Sequence, residues 1–444
     1  MTAAAAAGGR SEVPGQAAGT AKLKWTAVGA QQSDADQHVP ERLAVRTVAV
    51  ADPGDLVARL PRPAALAWLH DGDGLVGWGE AARLTLPAGE DRFTAGQKWL
   101  RELFDDADVT DEVGVPGSGP LAFGSFTFDP VSDGSVLVIP RTVLARRAGR
   151  SWLTTIAGGA DPRPGTPPPL TAPGAVRWND GSLTALQWEQ AVAAAVARIR
   201  AGELRKVVLA RDLHAVASQP IDVRLLLARL AARSPDSYTF ACAGLVGATP
   251  ELLVRRESAT VSSLVLAGTV ARGGTPAQDA ALSSWLLASA KDAEEHSYAV
   301  ESVREVLGPL CDHLEVAAEP SLLRLADVQH LATPVGGTLV KDASALALAA
   351  SLHPTAAVCG TPADTAMDLI RELEGMDRGR YSGPVGWVDA RGNGEWGIAL
   401  RCAEVAGSRA RLFAGCGIVA DSDPHAELAE AQAKFRPMRL ALEG

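Results

Sequence analysis

Residues 383–437 read "GPVGWVDARGNGEWGIALRCAEVAGSRARLFAGCGIVADSDPHAELAEAQAKFRP". Short runs rich in Val, Ile, Trp and Phe come first. "ARGNGEW" interrupts them and supplies a hairpin turn. The stretch therefore predicts paired strands across residues 383–419. The period then changes. "PHAELAEAQAKFRP" is rich in Ala, Glu and Lys and predicts a helix ending at Pro437.

The same alternation of blocks extends upstream. Strands are expected across 238–272, and helices across 277–307, 343–351 and 363–374. "LTALQWEQAVAAAVARIRAGELRKVVLAR" places Trp188, Val192, Val196 and Ile199 on one helical face, stops near Gly202 and continues as a strand. Strands in runs and helices in runs predict an α+β fold with large antiparallel sheets, not an alternating βαβ fold. No short internal repeat is present.

Two compositional shifts divide the chain. Residues 1–38 are Ala-, Gly- and Gln-rich and read as a disordered tail. Residues 161–174, "DPRPGTPPPLTAPG", form a Pro-rich connector. Between them, residues 39–160 hold strand-like runs such as "LAFGSFTFDP" and "SVLVIPRTVLARR". Residues 175–444 form the remaining block.

At 444 residues the chain can bury a large core. Its net charge of −10 argues against nucleic acid, which calls for a basic face. Five cysteines, widely spaced and without a C-x-x-C, fit a reduced cytoplasmic protein better than a disulfide framework or zinc site. No basic-then-apolar leader and no run of about 18 apolar residues occurs, so neither a signal peptide nor a membrane span is expected. "GDGLVG", at Gly72, Gly74 and Gly77, matches G-x-G-x-x-G. It runs into strand-like sequence instead of opening a helix, so it lacks the geometry of a dinucleotide loop.

Two helices carry acids at matching spacing. In "SAKDAEEHSYAVESV", residues 289–303, Asp292 and Glu295 lie three apart and share a face, while Glu294 points elsewhere. In the last helix Glu427 and Glu430 repeat the pattern, and Lys434 joins their face. Such pairs occur on many solvated helix surfaces. Four carboxylates without a Cys/His cluster also suit a hard, oxygen-preferring ion such as Mg²⁺.

Nine blocks in order now carry a resemblance: "KVVLAR" (206–211), "GATPELL" (247–253), "LAGT" (266–269), "SAKDAEEH" (289–296), "DVQHL" (327–331), "LHPTAAVCGTP" (352–362), "GRYSGPVGW" (379–387), "IALRCAE" (398–404) and "AGCGIVADSDPHAELAEAQAK" (414–434). Over roughly residues 185–440 the chain resembles the chorismate-utilising enzymes. That family includes isochorismate synthase, salicylate synthase, anthranilate synthase component I and aminodeoxychorismate synthase. The resemblance implies two large antiparallel β-sheets packed as a sandwich, with helices outside and the site in a cleft between. It implies Mg²⁺ held by Glu295 and Glu430 with Asp292 and Glu427 in support, binding the ring carboxylate of chorismate. Lys291 reads as a local counter-charge.

Position by position, the resemblance assigns Arg401 and Tyr381 to the enolpyruvyl carboxylate. Arg401 has the forked geometry for that task. Gly415 and Gly417 would offer backbone N–H groups to an anion, with Lys434 adding charge near the metal. Thr269 and His330 would line the cleft. Arg211, Arg380 and Tyr298 read as structural. Lys206 stands where the hydrating members place a base, and Glu251 where they place the acid that protonates the departing C4 hydroxyl. For that role Glu251 needs a raised pKa.

The expected reaction is attack of water at C2 with loss of the C4 hydroxyl, giving isochorismate for menaquinone or siderophore synthesis. Aminodeoxychorismate synthase carries Lys where this chain has Ala267, and an alanine cannot form a covalent adduct. No glutaminase partner is expected, and the chain is expected to act as a monomer. "LHPTAAVCGTP" looks closer to the isochorismate synthases, though their usual string has Pro at Ala356. Salicylate synthase, which eliminates pyruvate after the same first step, is the alternative. A silent partner subunit would be expected to lack Lys206, Glu251 or a metal ligand, and all are present.

Overall fold

The computed structural model describes residues 42–61, 65–156 and 168–444. The expected tail, the Pro-rich run 161–167 and the 39–41 boundary lie outside them. Eight α-helices are formed by the described residues: α1 (Arg92–Asp105), α2 (Ala185–Arg200), α3 (Val223–Arg233), α4 (Pro276–Ala288), α5 (Ala290–Leu307), α6 (Ala345–Leu352), α7 (Ala363–Leu373) and α8 (Pro424–Glu443). The expected helices and strands form within a few residues of their expected bounds. "GDGLVG" lies in the strand Asp73–Trp78, as its sequence context requires.

Helix starts follow local chemistry. Thr184 accepts from the backbone of Gln187, whose side chain bonds back, closing a capping box on α2. Asp423 caps α8 and Thr275 caps α4, each followed by Pro at the first turn. Ser289 caps α5 by accepting from the Asp292 N–H.

Two elements depart from expectation. α1 was not anticipated. α8 continues past Pro437 to Glu443. An interior proline costs about 3 kcal/mol through a lost backbone bond and a ring clash. Here Met438, Ala441 and Leu442 are buried beyond it, so packing offsets the break.

The described strands form a 13-stranded and a 10-stranded sheet, antiparallel but for the pair Ala44–Ala49 with Asp108–Asp111. Each sheet draws strands from both sides of the connector. Tyr238–Cys242 pairs with Leu66–His70 in the larger sheet, and Pro384–Asp389 with Leu121–Ser125 in the smaller. The expected N-terminal block is therefore woven into the same two sheets as the rest.

Side chains alternate across each strand, so one face of each sheet meets the other sheet. Trp68, Phe240 and Tyr238 from one sheet and Phe123, Val138 and Trp387 from the other share that core. The Trp68 indole N–H crosses it to donate to Glu395 Oε2 at 2.7 Å. Helices cover the outer faces. α8 packs on the strand Arg409–Ile418 and α5 on the strand Thr260–Ala271. The two acidic helices thus approach each other from different sheets.

Candidate active site

The strand Lys206–Ala217 pairs with Arg409–Ile418 in a register that sets Val208 opposite Gly417 and Ala210 opposite Gly415. The Val208 N–H goes to Cys359 O at 2.7 Å and the Ala210 N–H to Glu374 Oε1 at 2.6 Å. These are therefore non-hydrogen-bonded pairs, whose backbone groups point away from the partner strand. The N–H groups of Gly415 and Gly417 accordingly face outward, beyond the point where the pairing with Cys402–Ala406 begins at Leu412. Gly415 O points the same way and accepts from Lys434 Nζ at 2.9 Å.

Gly417 has a second reason to be glycine. A Cβ there would lie 2.1 Å from Glu295 Oε1 and 3.1 Å from Lys206 Cε. Only a bare backbone lets these two side chains meet over the strand. Gly268, at φ +73°, plays a like part: a Cβ would lie 3.0 Å from Asp292 Cβ.

The cavity formed there is lined by Glu251, Thr269, Glu295, His330, Arg401, Gly415, Gly417 and Lys434, with Val208, Pro250, Leu266, Ala267, Gly268, Ala357 and Leu400 as neutral wall. Eight of the expected site residues thus converge from six separate blocks of sequence. Lys206 is fully buried directly behind Gly417 and Glu295. Tyr381 does not line the cavity. Its buried ring stacks on Phe413, centroids 5.0 Å apart and 7° from parallel. Burial holds the Arg401 guanidinium below its ordinary value, and of the ionisable groups that oppose this the adjoining Tyr381 hydroxyl acts most strongly.

At the acidic end, lysines and carboxylates pair. Lys206 Nζ is 3.2 Å from Glu295 Oε1, within ion-pair range but not aligned for a hydrogen bond. Lys291 Nζ is 2.8 Å from Glu427 Oε1, and Lys434 Nζ is 2.6 Å from Glu430 Oε1. Lys291 is thus a counter-charge to α8 across the cleft. Glu294 accepts from Tyr298 OH on its own exposed face, away from the site.

The acids feel one another. Burial raises the Asp292 carboxyl; Ser289 opposes this, and the charges of Glu295 and Glu430 add to it. Burial and then Glu430 raise Glu427. Burial also acts to raise Glu295, but Lys206, Lys434 and Lys291 outweigh it and hold it below its ordinary value. Four oxygen donors from two helices, partly buried and mutually repelling, are a donor set that fits a hard divalent cation.

The other end is built differently. Glu251 is 6% exposed, and burial pushes its carboxyl up to about 8 against the pull of Lys206, Arg401 and Lys434. Arg401 adopts φ +49°, a left-handed conformation disfavoured for a residue with a Cβ. Its Nη2 lies 3.5 Å from His330 Nε2, and His330 Nδ1 lies 3.0 Å from Thr269 Oγ1. Burial, then Arg401 and Lys434, hold His330 well below its ordinary value, so the ring is neutral. Arginine only donates, so Nε2 is the acceptor and Nδ1 carries the proton. That proton is shared between Thr269 Oγ1 and Gly268 O, the latter at 3.3 Å, so Thr269 accepts here and keeps its own O–H for another partner.

The strained backbone of Arg401, the pairing of Lys291 with Glu427 and the neutral wall were not read from sequence. The first has no sequence signal, since a left-handed arginine looks like any other. The glycines at 268 and 417 did carry one: each stands where an acidic α5 residue packs.

A family model for "chorismate binding enzyme" matches residues 170–443. The chain is 43% identical over 267 residues to the isochorismate synthase DhbC of Bacillus subtilis, covering 57% of this chain and 67% of that protein. It is 36% identical over 375 residues to the isochorismate synthase EntC of Escherichia coli, covering 80% and 89%. Among solved structures, MenF, the menaquinone-specific isochorismate synthase from Escherichia coli, superposes with a TM-score of 0.75 at 27% identity, covering 92% of this chain and 97% of that one. Together with the shared sandwich, these matches place the chain in the chorismate binding enzyme family.

Proposed function

We propose that this chain is an isochorismate synthase, converting chorismate to isochorismate with Mg²⁺ held between α5 and α8. The observation that carries the reading is one cavity lined by two unlike glutamates: Glu295, held low by lysines beside the other α5 and α8 carboxylates, and Glu251, buried and protonated, with Arg401. Glu295 and Glu430 would hold the ion, with Asp292 and Glu427 supporting them. The ion, when bound, supplies a positive charge for the ring carboxylate of the substrate.

The chain's own residues do the rest. Arg401 pairs with the enolpyruvyl carboxylate, and His330 and Thr269 fix its edge. The N–H groups of Gly415 and Gly417 and the Lys434 ammonium orient the ring carboxylate. Lys206 must first give up its ammonium proton to solvent and leave its pairing with Glu295; as the neutral amine it then takes a proton from water as that water attacks C2. Glu251, kept protonated by burial at neutral pH, gives a proton to the departing C4 hydroxyl. Ala267 contributes a methyl group to the cavity wall and leaves water as the nucleophile.

The reading extends to a cytoplasmic monomer working without an ammonia-supplying subunit, for menaquinone or siderophore synthesis. All five cysteines are free, as a reducing compartment allows, and no helix among the described residues is long and apolar enough to cross a membrane. The test is to incubate the chain with chorismate and Mg²⁺ and separate the products. Isochorismate is expected as the main product. Equimolar salicylate and pyruvate would support the salicylate synthase alternative. Unconverted chorismate would overturn both.

A further inference from the structure

Where the smaller sheet ends at the strand Ala82–Leu86, a cavity of about 880 Å³ opens between the two sheets. That is the size of sites that enclose small organic molecules, roughly 300–1,000 Å³. Leu66 and Leu245 of the larger sheet, Val136 and Val138 of the smaller, and Ile221 give it an apolar wall. It shares no lining residue with the cavity that holds Glu251 and Glu295.

One charged group in this wall is unlike the rest. Arg83 pairs with Glu80, and Arg411 donates to Asp212 at 2.8 Å. Asp133 accepts from the Ala88 N–H, and Asp377 from Ser132 and the Gly379 N–H. Glu404 is 7% exposed, lines the cavity and accepts no hydrogen bond from the described residues. Arg380 Nε lies 4.0 Å from its Oε1, beyond hydrogen-bond reach. The terminal nitrogens of Arg380 are turned instead to the Cys242 and Ala243 carbonyls, at 3.2 and 2.9 Å. A carboxylate taken from water without a donor carries an unmet cost.

We propose that this cavity binds a small molecule with an apolar body and a protonated amine, the amine donating to Glu404. The wall takes the apolar body out of water, and the ammonium supplies the donor that Glu404 lacks. An anionic ligand is disfavoured there, since Arg83, Arg380 and Arg411 already have partners. Nothing in this site depends on the chorismate chemistry.

Calorimetry on the full chain tests this with 2-(1-naphthyl)ethylamine, a cation near neutral pH, and the matching alcohol, 2-(1-naphthyl)ethanol. The amine is expected to bind saturably at one site. The alcohol should bind about 10- to 100-fold more weakly, the scale of one charge-assisted hydrogen bond. Glu404→Gln keeps the side chain's shape and should bring the amine down to the alcohol's affinity. Saturating Mg²⁺ should leave amine binding unchanged. Absence of saturable amine binding to the wild-type chain overturns the proposal, as does equal binding of amine and alcohol, and neither result needs a variant. Undiminished amine binding to Glu404→Gln overturns it as well. So does displacement of the amine by Mg²⁺, which would put it among the α5 and α8 carboxylates. Failure of the isochorismate reading looks different: chorismate stays unconverted while the amine still binds.

Discussion

The two ends of the cavity solve opposite electrostatic problems. At the acidic end three lysines pair with three of the four carboxylates: Lys206 with Glu295 from the neighbouring strand, Lys291 with Glu427 from α5 to α8, and Lys434 with Glu430 along α8 itself. At the other end Glu251 has no such ion pair, and burial keeps its carboxyl protonated up to about 8. One end manages charge by pairing it and the other by suppressing it. Glu295 and Glu251, two glutamates lining one cavity, therefore acquire different chemistry from their surroundings. The acidic end would be altered most by removing a ligand, and the buried end by changing a proton.

The largest effect is expected at the acidic end. Chelation with EDTA should abolish turnover, and Mg²⁺ should restore it. Glu295→Gln and Glu430→Gln should each weaken Mg²⁺-dependent chorismate binding, read by calorimetry, while circular dichroism stays native. Full turnover in metal-free buffer contradicts the assignment.

Next come the proton-transfer groups. Lys206→Ala and Glu251→Gln should each lower turnover by about 10² or more, the usual scale for general acid–base catalysis. Chorismate affinity should change much less, since neither residue is assigned to a carboxylate. If either variant loses binding in proportion to rate, it is a substrate anchor instead.

The pH dependence sharpens the contrast. Glu251 must hold its proton, so turnover should fall as pH rises through about 8. The same raised pKa has a sign for stability. The folded state binds this proton more tightly than the unfolded chain does. Its stabilising contribution is full below the ordinary glutamate range near 4.5 and is lost as pH climbs toward 8. Glu251→Gln removes that dependence. Its melting temperature relative to wild type should therefore rise between pH 5 and pH 9. A constant difference across that range would mean that Glu251 is not buried as described.

The smallest effect is expected at Arg401. Arg401→Lys keeps the charge but loses the fork, so KM should rise about 10- to 100-fold, the scale of a lost charge-assisted hydrogen bond. kcat should move less. A fall in kcat alone would place Arg401 at the reacting atoms instead.

Much of this was legible in the chain because periodicity and turn chemistry are local. The hairpin at "ARGNGEW", which turns at Ala390–Gly392 with Gly392 left-handed, the helix of Trp188, Val192, Val196 and Ile199, and the i, i+3 acids each follow from a few neighbouring residues. The order of motifs then identified which distant pieces meet. What stayed hidden depends on three-dimensional packing. Pro437 predicts a stop, yet burial of Met438 and Leu442 carries the helix on. Tyr381 matched a site motif, yet its ring stacks on Phe413 beside the cavity. Lys291 reads as a neighbour's counter-charge, yet it spans to Glu427, 136 residues away. The i, i+3 rule reports which side chains share a face, and says nothing of what the opposite helix brings.

The central claim is that water, admitted beside Ala267, attacks chorismate at C2 while Glu251 protonates the leaving hydroxyl at C4. The most direct measurement is mass spectrometry of the product formed from chorismate and Mg²⁺ in ¹⁸O-labelled water, with ammonium salts present. One ¹⁸O atom at the new C2 hydroxyl of isochorismate is the predicted result. Unlabelled isochorismate, or a dominant amino product, would contradict it.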